Sequence, residues 1–257
     1  MKTKVFWIFL LAVASALSVS AAEKAEGNGT IVTKVFTVDE YTAIHVGHNI
    51  EYNRRFWTFF SKDPKRYPTF TYSQTSGEAS LEITMDENLF PFLSVEVKDQ
   101  KLEIKTLQDC KISPTRMAVE GKSGQLKKVD IYGNMDFVAP SALNLDTVTF
   151  NVSGVGDIKI SSITCDVLSC DVFGVGSLHL AGSVNKGKYN ISGVGKVFAY
   201  DCEVKELSCN ISGVGKMEVS ASEKLTAGTS GIGKIRYKGD AKADLNRSGI
   251  GSIKRVY

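Results

Sequence analysis

The chain has 257 residues and a formal net charge of +3, and it contains 23 glycines but only 5 prolines. Removing a predicted export signal, Met1–Ala21, takes away two of the 31 basic residues and none of the 28 acidic ones, which leaves a net charge of +1. This near balance gives no electrostatic reason to expect a nucleic-acid partner.

The first residues have the pattern of a secretory signal peptide, with a charged Met-Lys-Thr-Lys start, an apolar run at Val5–Val19 and small residues at 20–22. The run is about 15 residues long, shorter than the roughly 20 that a membrane-spanning helix needs. We expect cleavage after Ala21, with cleavage after Ala22 or an uncleaved anchor as alternatives. The mature chain would be periplasmic, surface-exposed or extracellular, with no transmembrane segment, and residues 22–30 would form a flexible linker.

Residues 31–116 are predicted to form an antiparallel β unit, because short β-branched runs alternate there with turn residues. This unit would cover the first coil of the repeat described below, whose apolar cross-section would otherwise be exposed. The expected strands are Lys34–Val38, Thr42–Val46, Ile50–Tyr52, Ser80–Thr84, Leu93–Val97 and Lys101–Thr106.

An insertion at residues 53–77 interrupts this unit with interleaved aromatic and basic side chains. If the segment faces solvent, it would bind a glycan, an anionic polysaccharide or another envelope protein. The alternative is that its aromatic side chains fold back on the sheet and complete the core, since soluble monomers rarely expose aromatic clusters. The candidate ligand contacts are Arg54, Arg55, Phe56, Trp57, Phe59, Phe60 and Tyr67.

From Asn151 onward the chain repeats Ser-Gly-Val-Gly or a close variant of it. The first glycines of six copies are 154, 174, 193, 213, 231 and 249, at intervals of 18–20 residues, and Gly133 begins a degenerate earlier copy. A unit this short cannot enclose its own apolar face, so the copies are predicted to stack as coils. We therefore expect an all-β protein in which residues 117–257 form a β-solenoid of about seven coils. A string of separate hairpins is the alternative.

Positions counted from the first glycine form columns of similar residues. Columns +4 and +6 are apolar and alternate with polar positions +3 and +5, which is typical of a strand with one buried face. The Gly-x-Gly is expected to form a corner, and the valine or isoleucine at +1 is expected to be buried with columns +4 and +6. Column +1 consists of Val155, Val175, Val194, Val214, Ile232 and Ile250.

The outward positions +3 and +5 carry a stripe of cations, in which Lys196, Lys216, Lys234 and Arg236 are candidate ligand contacts. Such a stripe would bind an anionic polysaccharide. The alternative is a solvated face that resists pairing between sheets. Three residues before the first glycine, most copies have an asparagine, and stacked asparagines are expected to form hydrogen bonds from coil to coil.

Catalysis is the second functional hypothesis. Asp136 and Asp157 share column +3 on neighbouring coils, roughly 5 Å apart, which is the carboxylate separation of a retaining glycosidase. No loop that could form a sugar cleft is predicted near them, so a polysaccharide-acting β-helix enzyme is only an alternative, and no catalytic residue is assigned. A weak Ca²⁺ site on the same two carboxylates is a further alternative. His45 and His48 would face opposite sides of a strand and could not chelate together, and no metal ligand or cofactor is assigned.

The five cysteines are not expected to form a disulfide framework, because residues in the same column lie two coils apart, roughly 9–10 Å. They are predicted to be buried thiols. A local Cys165–Cys170 or Cys202–Cys209 bridge is the alternative.

The serial SGVGD and SGVGK motifs, together with FTVDEYTAIHVGHNIEY, LEITMDENLF and VEVKDQKLEIKT, resemble the head GIN domain family of auto-transporter adhesins of Bacteroidota-type bacteria. The resemblance runs from about Val35 to Arg255 and departs from the family at the insertion. It implies an exported β-helical protein and carries over no ligand or catalytic residue. We thus expect a non-enzymatic binding, adhesin-like or structural protein of the bacterial cell envelope.

Overall fold

The computed structural model describes residues 24–47, 49–51, 68–107 and 110–257. About 73% of the chain is strand and 3% is helix, which confirms the all-β prediction. The second half winds as a β-solenoid of about six turns, slightly fewer than the seven predicted. Within the described ranges, none of the helical segments has the length and apolar character needed to cross a bilayer.

The described part of the first half consists of short strands and one 3₁₀ turn, Glu87–Phe92. The strands are β1 (Lys24–Glu26), β2 (Ile31–Phe36), β3 (Ala43–Val46), β4 (Thr69–Gln74), β5 (Ser80–Asp86), β6 (Leu93–Lys98), β7 (Lys101–Thr106), β8 (Lys111–Ser113), β9 (Met117–Ser123) and β10 (Lys128–Ile131). The antiparallel pairs β2–β5 and β6–β7 lie in the unit predicted at residues 31–116, and the pair β5–β9 extends this unit into Met117–Ser123, which was predicted as solenoid. Parallel pairs that were not predicted, β3–β7, β3–β10 and β4–β9, connect that unit to the solenoid.

Three expectations for this half differ from the structure. The predicted linker at residues 22–30 contains β1, which pairs in parallel with β8. No strand begins at Ile50, which makes only an isolated bridge to Ile112, whereas Tyr52 lies outside the described residues. Strand β4, in contrast, lies inside the predicted insertion and places Phe70 and Tyr72 in the core. The last part of the insertion therefore completes the core, as the alternative interpretation of its aromatic residues expected.

The solenoid consists of long strands that run around each coil and pair in parallel with the next coil. Equivalent positions of the repeat lie side by side, as Val194 does with Val214 and Val214 with Ile232. This register confirms that the copies stack. The strands are β11 (Asp136–Val152), β12 (Ile158–Val172), β13 (Val175–Ile191), β14 (Val194–Ile211), β15 (Val214–Thr229), β16 (Ile232–Lys238), β17 (Lys242–Arg247) and β18 (Ile250–Arg255).

The interior of the solenoid contains columns +4 and +6, as predicted. Column +4 is fully buried in five copies, at Ile158, Leu178, Val197, Met217 and Ile235. The prediction for column +1 is wrong, because its valines and isoleucines face solvent. Inward and outward positions alternate without a break from +1 to +6, so the inward position nearest the corner is the second glycine, at +2.

Packing across the corner explains why glycine occupies position +2. A Cβ atom on Gly233 would lie 2.9 Å from side-chain atoms of Ile211, and one on Gly215 would lie 3.0 Å from Ile191. These isoleucines stand two positions before the first glycine and are fully buried. They fill the interior beneath the corner, so the next inward position has no room for a side chain.

An aromatic cluster closes the N-terminal end of the solenoid core. The ring of Phe137 lies 5.9 Å from that of Phe70, 6.1 Å from Tyr72 and 5.6 Å from Phe150, measured between centroids. These four side chains are almost fully buried. The first half therefore covers the first coil. At the other end, every residue of β17 is exposed.

Smaller features of the coils follow the sequence predictions. The side-chain amides of Asn151 and Asn190 donate hydrogen bonds to Asp130 (2.7 Å) and Asp171 (2.6 Å) on the preceding coil. All five cysteines are buried free thiols, and neither of the two local bridges is formed. The Cys202 thiol and the buried hydroxyl of Tyr189 form a hydrogen bond of 3.8 Å.

Candidate ligand-binding groove

A groove runs along the outside of the solenoid, parallel to the direction in which the coils stack. It has a volume of about 760 Å³ and is lined by positions +1, +2 and +3 of successive copies. The six aliphatic side chains of column +1 line it in register, each between 47% and 74% exposed. We call this set, Val155, Val175, Val194, Val214, Ile232 and Ile250, the aliphatic ladder.

The corner glycines allow the ladder to form because they let neighbouring coils approach closely. The first glycine of each copy packs directly on the coil before it: a Cβ on Gly193 would lie 2.1 Å from the Gly174 carbonyl oxygen. The amide of Val194 in turn donates a 3.0 Å hydrogen bond to that oxygen. The same bond recurs from coil to coil, which spaces the ladder residues by about 4.8 Å.

Column +3 lines the groove beside the ladder and brings together three of the four predicted solenoid contacts, Lys196, Lys216 and Lys234. Lys216 lies 2.6 Å from Glu218. Arg236 is not in the groove lining, because it stands at position +5, where its guanidinium is 3.8 Å from Glu218. The predicted cation stripe is thus two separate columns, of which only one borders the groove.

Two carboxylates lie at the N-terminal end of the same groove. Asp136 accepts a hydrogen bond from the Asp157 amide (2.9 Å), and Asp157 accepts one from the Ser177 amide (2.8 Å). Burial is the main cause that raises the pKa of Asp136 above its ordinary value. The hydrogen bond from the Asp157 amide opposes this shift, and the charge of Asp157 adds to it. The sequence predicted no cleft near these residues; the structure places both in a groove lining.

Comparison with known protein families identifies the family of this chain. The family model described as "Putative auto-transporter adhesin, head GIN domain" matches residues 69–241. The chain belongs to this family. The matched range contains the groove from Asp136 to Lys234, so most of the groove lies in the part that defines the head GIN domain. A comparison with curated proteins gives no match.

Three solved structures are similar to this head GIN domain protein. A "putative adhesin" from Bacteroides fragilis NCTC 9343 is 24% identical, with a TM-score of 0.79, and the match covers 90% of this chain and 99% of the other. A "putative lipid binding protein" from Parabacteroides distasonis ATCC 8503 has 25% identity, a TM-score of 0.70 and coverages of 91% and 100%. A "putative adhesin" from Parabacteroides merdae ATCC 43184 is 26% identical, with a TM-score of 0.68, and the match covers 92% of this chain and 100% of the other.

The remaining predicted contacts of this head GIN domain protein, Arg54, Arg55, Phe56, Trp57, Phe59, Phe60 and Tyr67, lie outside the described residues, as does His48. His45 is described: its ring lies 4.9 Å from that of Tyr132 at a tilt of 37°, and it is 4.0 Å from a carboxylate oxygen of Asp130. In the described ranges, no group of three or more His, Cys, Asp or Glu is arranged to hold a metal ion.

The aliphatic ladder is the feature that the sequence prediction missed. Its residues are valines and isoleucines, which are typical of a core. Because a break in the alternation was expected at the Gly-x-Gly corner, these residues were predicted to face inward. The signal was the alternation itself: counting back by twos from the buried column +4 reaches the glycine at +2, and so leaves +1 on the outside.

Proposed function

We propose that this member of the adhesin family is an exported, non-enzymatic binding protein, and that its groove holds the acyl chain of a lipid. The observation that carries the proposal is the aliphatic ladder, in which six half-exposed apolar side chains line one groove in register. A continuous apolar surface of this kind marks a binding site, because soluble proteins otherwise keep such surfaces small.

The energetics favour an apolar ligand. Full burial of one aliphatic side chain contributes roughly 1.5–3 kcal/mol, so covering the exposed halves of six would contribute about 5–9 kcal/mol before the cost of association. A hydroxyl-rich sugar chain laid on the same ladder would gain much less, because its polar groups would lose water without finding partners there.

The length of the groove also fits. Five coil-to-coil steps of about 4.8 Å separate the first and last ladder residues, which gives roughly 24 Å. A bilayer core is about 30 Å thick, so one acyl chain needs about 15 Å. The Parabacteroides distasonis relative described as a lipid-binding protein supports the same ligand class.

Catalysis at Asp136 and Asp157 is the competing function, since both carboxylates line the groove. Each of them accepts a backbone hydrogen bond from the following coil, which favours a structural role. Polysaccharide digestion by the wild-type protein, abolished by Asp136→Asn, would establish the enzyme instead. The aromatic contacts predicted at residues 53–77 remain a separate proposal for a glycan or protein partner.

Isosteric substitution of the ladder tests the proposal. We expect Val175→Thr/Val194→Thr/Val214→Thr to bind a neutral apolar probe, N-phenyl-1-naphthylamine, at least tenfold more weakly than the wild type, because each change places a hydroxyl against the ligand. Threonine preserves the shape and the strand preference of valine, so the fold should be retained. Fluorescence titration measures the affinity.

The matched control is Val35→Thr/Val167→Thr, which changes exposed valines outside the groove lining. It should bind the probe as the wild type does. Equal binding by the ladder variant would remove the groove as the site. A wild-type dimer that the ladder substitutions convert to monomer would show that a second copy, and not a lipid, covers the ladder.

A further inference from the structure

The charges along column +3 change sign from one end of the groove to the other. The N-terminal end has Asp136 and Asp157, the next coil has Ser177, and the following three coils have Lys196, Lys216 and Lys234. The ladder beside this column is apolar along its whole length. The groove therefore combines a uniform apolar wall with a polar wall that has a direction.

The lysines at one end of the groove can pair with an anionic ligand. No carboxylate among the described residues lies within 4.0 Å of the ammonium group of Lys196 or Lys234, whereas Lys216 pairs with Glu218. Glu218 is also shared with Arg236. Three ammonium groups on successive coils repel one another, and an anion placed between them relieves that repulsion.

The carboxylates at the other end oppose the reverse placement. Asp157 has one cation near it, Lys159, at 4.0 Å, and Asp136 lies beside Asp157 on the adjacent coil. An anionic group there would face carboxylates that already accept hydrogen bonds from the backbone, so it would gain no donor and would meet like charge.

The geometry points to a groove that selects long-chain amphiphiles with an anionic head group and binds them in one orientation. The head group lies at Lys196, Lys216 and Lys234, and the chain runs over the ladder toward Val155. This inference rests on the proposed function. From Ile232 to Val155 there are four coil steps, roughly 19 Å, enough for one acyl chain of about 15 Å and a small head group.

Selectivity is tested with probes of one chain length. Displacement of N-phenyl-1-naphthylamine by dodecanoate, dodecyl phosphate and dodecan-1-ol, each below its aggregation concentration, gives three affinities for the full mature chain. At low ionic strength we expect both anions to bind at least tenfold more tightly than the alcohol. Added salt should reduce this advantage, because the lysines are exposed and therefore screened.

Charge-neutralising variants identify the cations. Lys196→Gln/Lys234→Gln should weaken dodecanoate binding about three- to tenfold and leave dodecan-1-ol binding unchanged. The control Lys98→Gln/Lys254→Gln removes two exposed cations outside the groove lining and should change neither affinity. Equal affinities for alcohol and anion overturn the inference and leave the proposed function standing; failure of all three probes to bind overturns both.

Orientation has its own readout. Dodecanoate with a diazirine at its methyl end should cross-link near Val155 and Val175, as located by mass spectrometry of the digested protein. Cross-links concentrated near Ile232 and Ile250 overturn the proposed direction. In Asp136→Asn/Asp157→Asn, the share of cross-links near Ile232 and Ile250 should rise, because the repulsive end is then neutral, while the three lysines keep most cross-links near Val155.

Discussion

Gly213 lies at a corner where two coils approach closely, and replacing it with alanine perturbs the stacking directly. The new Cβ would lie 2.0 Å from the carbonyl oxygen of Gly193 and 2.4 Å from that of Ser192, both backbone atoms of the preceding coil. Relieving the first contact to 3.0 Å, the lower limit for a Cβ, requires a displacement of about 1 Å. The 2.9 Å hydrogen bond from the Val214 amide to Gly193 would then no longer form.

The cost follows from these contacts. Overpacking costs roughly 1–3 kcal/mol, and each lost hydrogen bond costs about 1 kcal/mol, with two bonds from the Ser212 and Gly213 amides to Ile191 also at risk. We expect Gly213→Ala to lower the free energy of unfolding by about 3–5 kcal/mol. Urea unfolding followed by far-ultraviolet circular dichroism measures the change.

Gly77 provides the matched control. A Cβ there would meet only the Thr75 hydroxyl oxygen, at 3.5 Å, which is an ordinary contact. Gly77→Ala should therefore change the free energy of unfolding by less than about 1 kcal/mol, since alanine also restricts the unfolded chain. If Gly213→Ala were as stable as Gly77→Ala, the close approach of the coils at the corner would be refuted.

Two further substitutions test the first half and its packing against the first solenoid strand. Burial alone would raise the pKa of Asp86, but hydrogen bonds from the Thr115 hydroxyl and from the Gly29 and Thr115 amides lower it below its ordinary value. The ionised Asp86 therefore stabilises the fold above about pH 4, and this stabilisation is lost as the pH falls further. Asp86→Asn should lower the free energy of unfolding by about 1–3 kcal/mol at pH 7 and should make it depend less on pH. Urea unfolding from pH 2 to 7 measures both effects. An unchanged pH profile would contradict this account. Phe137→Ala should lower the free energy of unfolding, measured with urea, by about 3–5 kcal/mol, because it opens a cavity in the aromatic cluster. Phe137→Leu should recover most of this loss. A loss under about 1 kcal/mol for Phe137→Ala would show that the cluster does not close the core.

The sequence predicted the solenoid because stacking requires equivalent residues to meet their own copies. Columns +4 and +6, with residues such as Leu178 and Val219, follow from this requirement and are buried as expected. The parallel pairs in the first half could not be predicted in the same way. Strand β4, for example, pairs with β9 and β11, which lie far along the chain and share no repeat with it.

The candidate groove was only partly predictable. The lysines at 196, 216 and 234 were correctly placed on the outer face, but columns +3 and +5 could not be separated without knowing the curvature of the corner. Val194 was expected in the core because valine is equally suited to a buried and to a half-exposed strand position. Only the alternation of inward and outward positions through the glycine at +2 distinguishes a buried from an exposed Val194. A glycine has no side chain, so its residue type does not show whether its position faces inward.

Methyl NMR of the valine-labelled protein, titrated with dodecan-1-ol, tests the role of the aliphatic ladder most directly. We expect the methyl signals of Val155, Val175, Val194 and Val214 to shift together as the ligand concentration rises, while those of the buried Val119 and Val204 move little. Saturable shifts confined to other surface valines, such as Val35 and Val167, or no shifts in the ladder at ligand saturation, would contradict it.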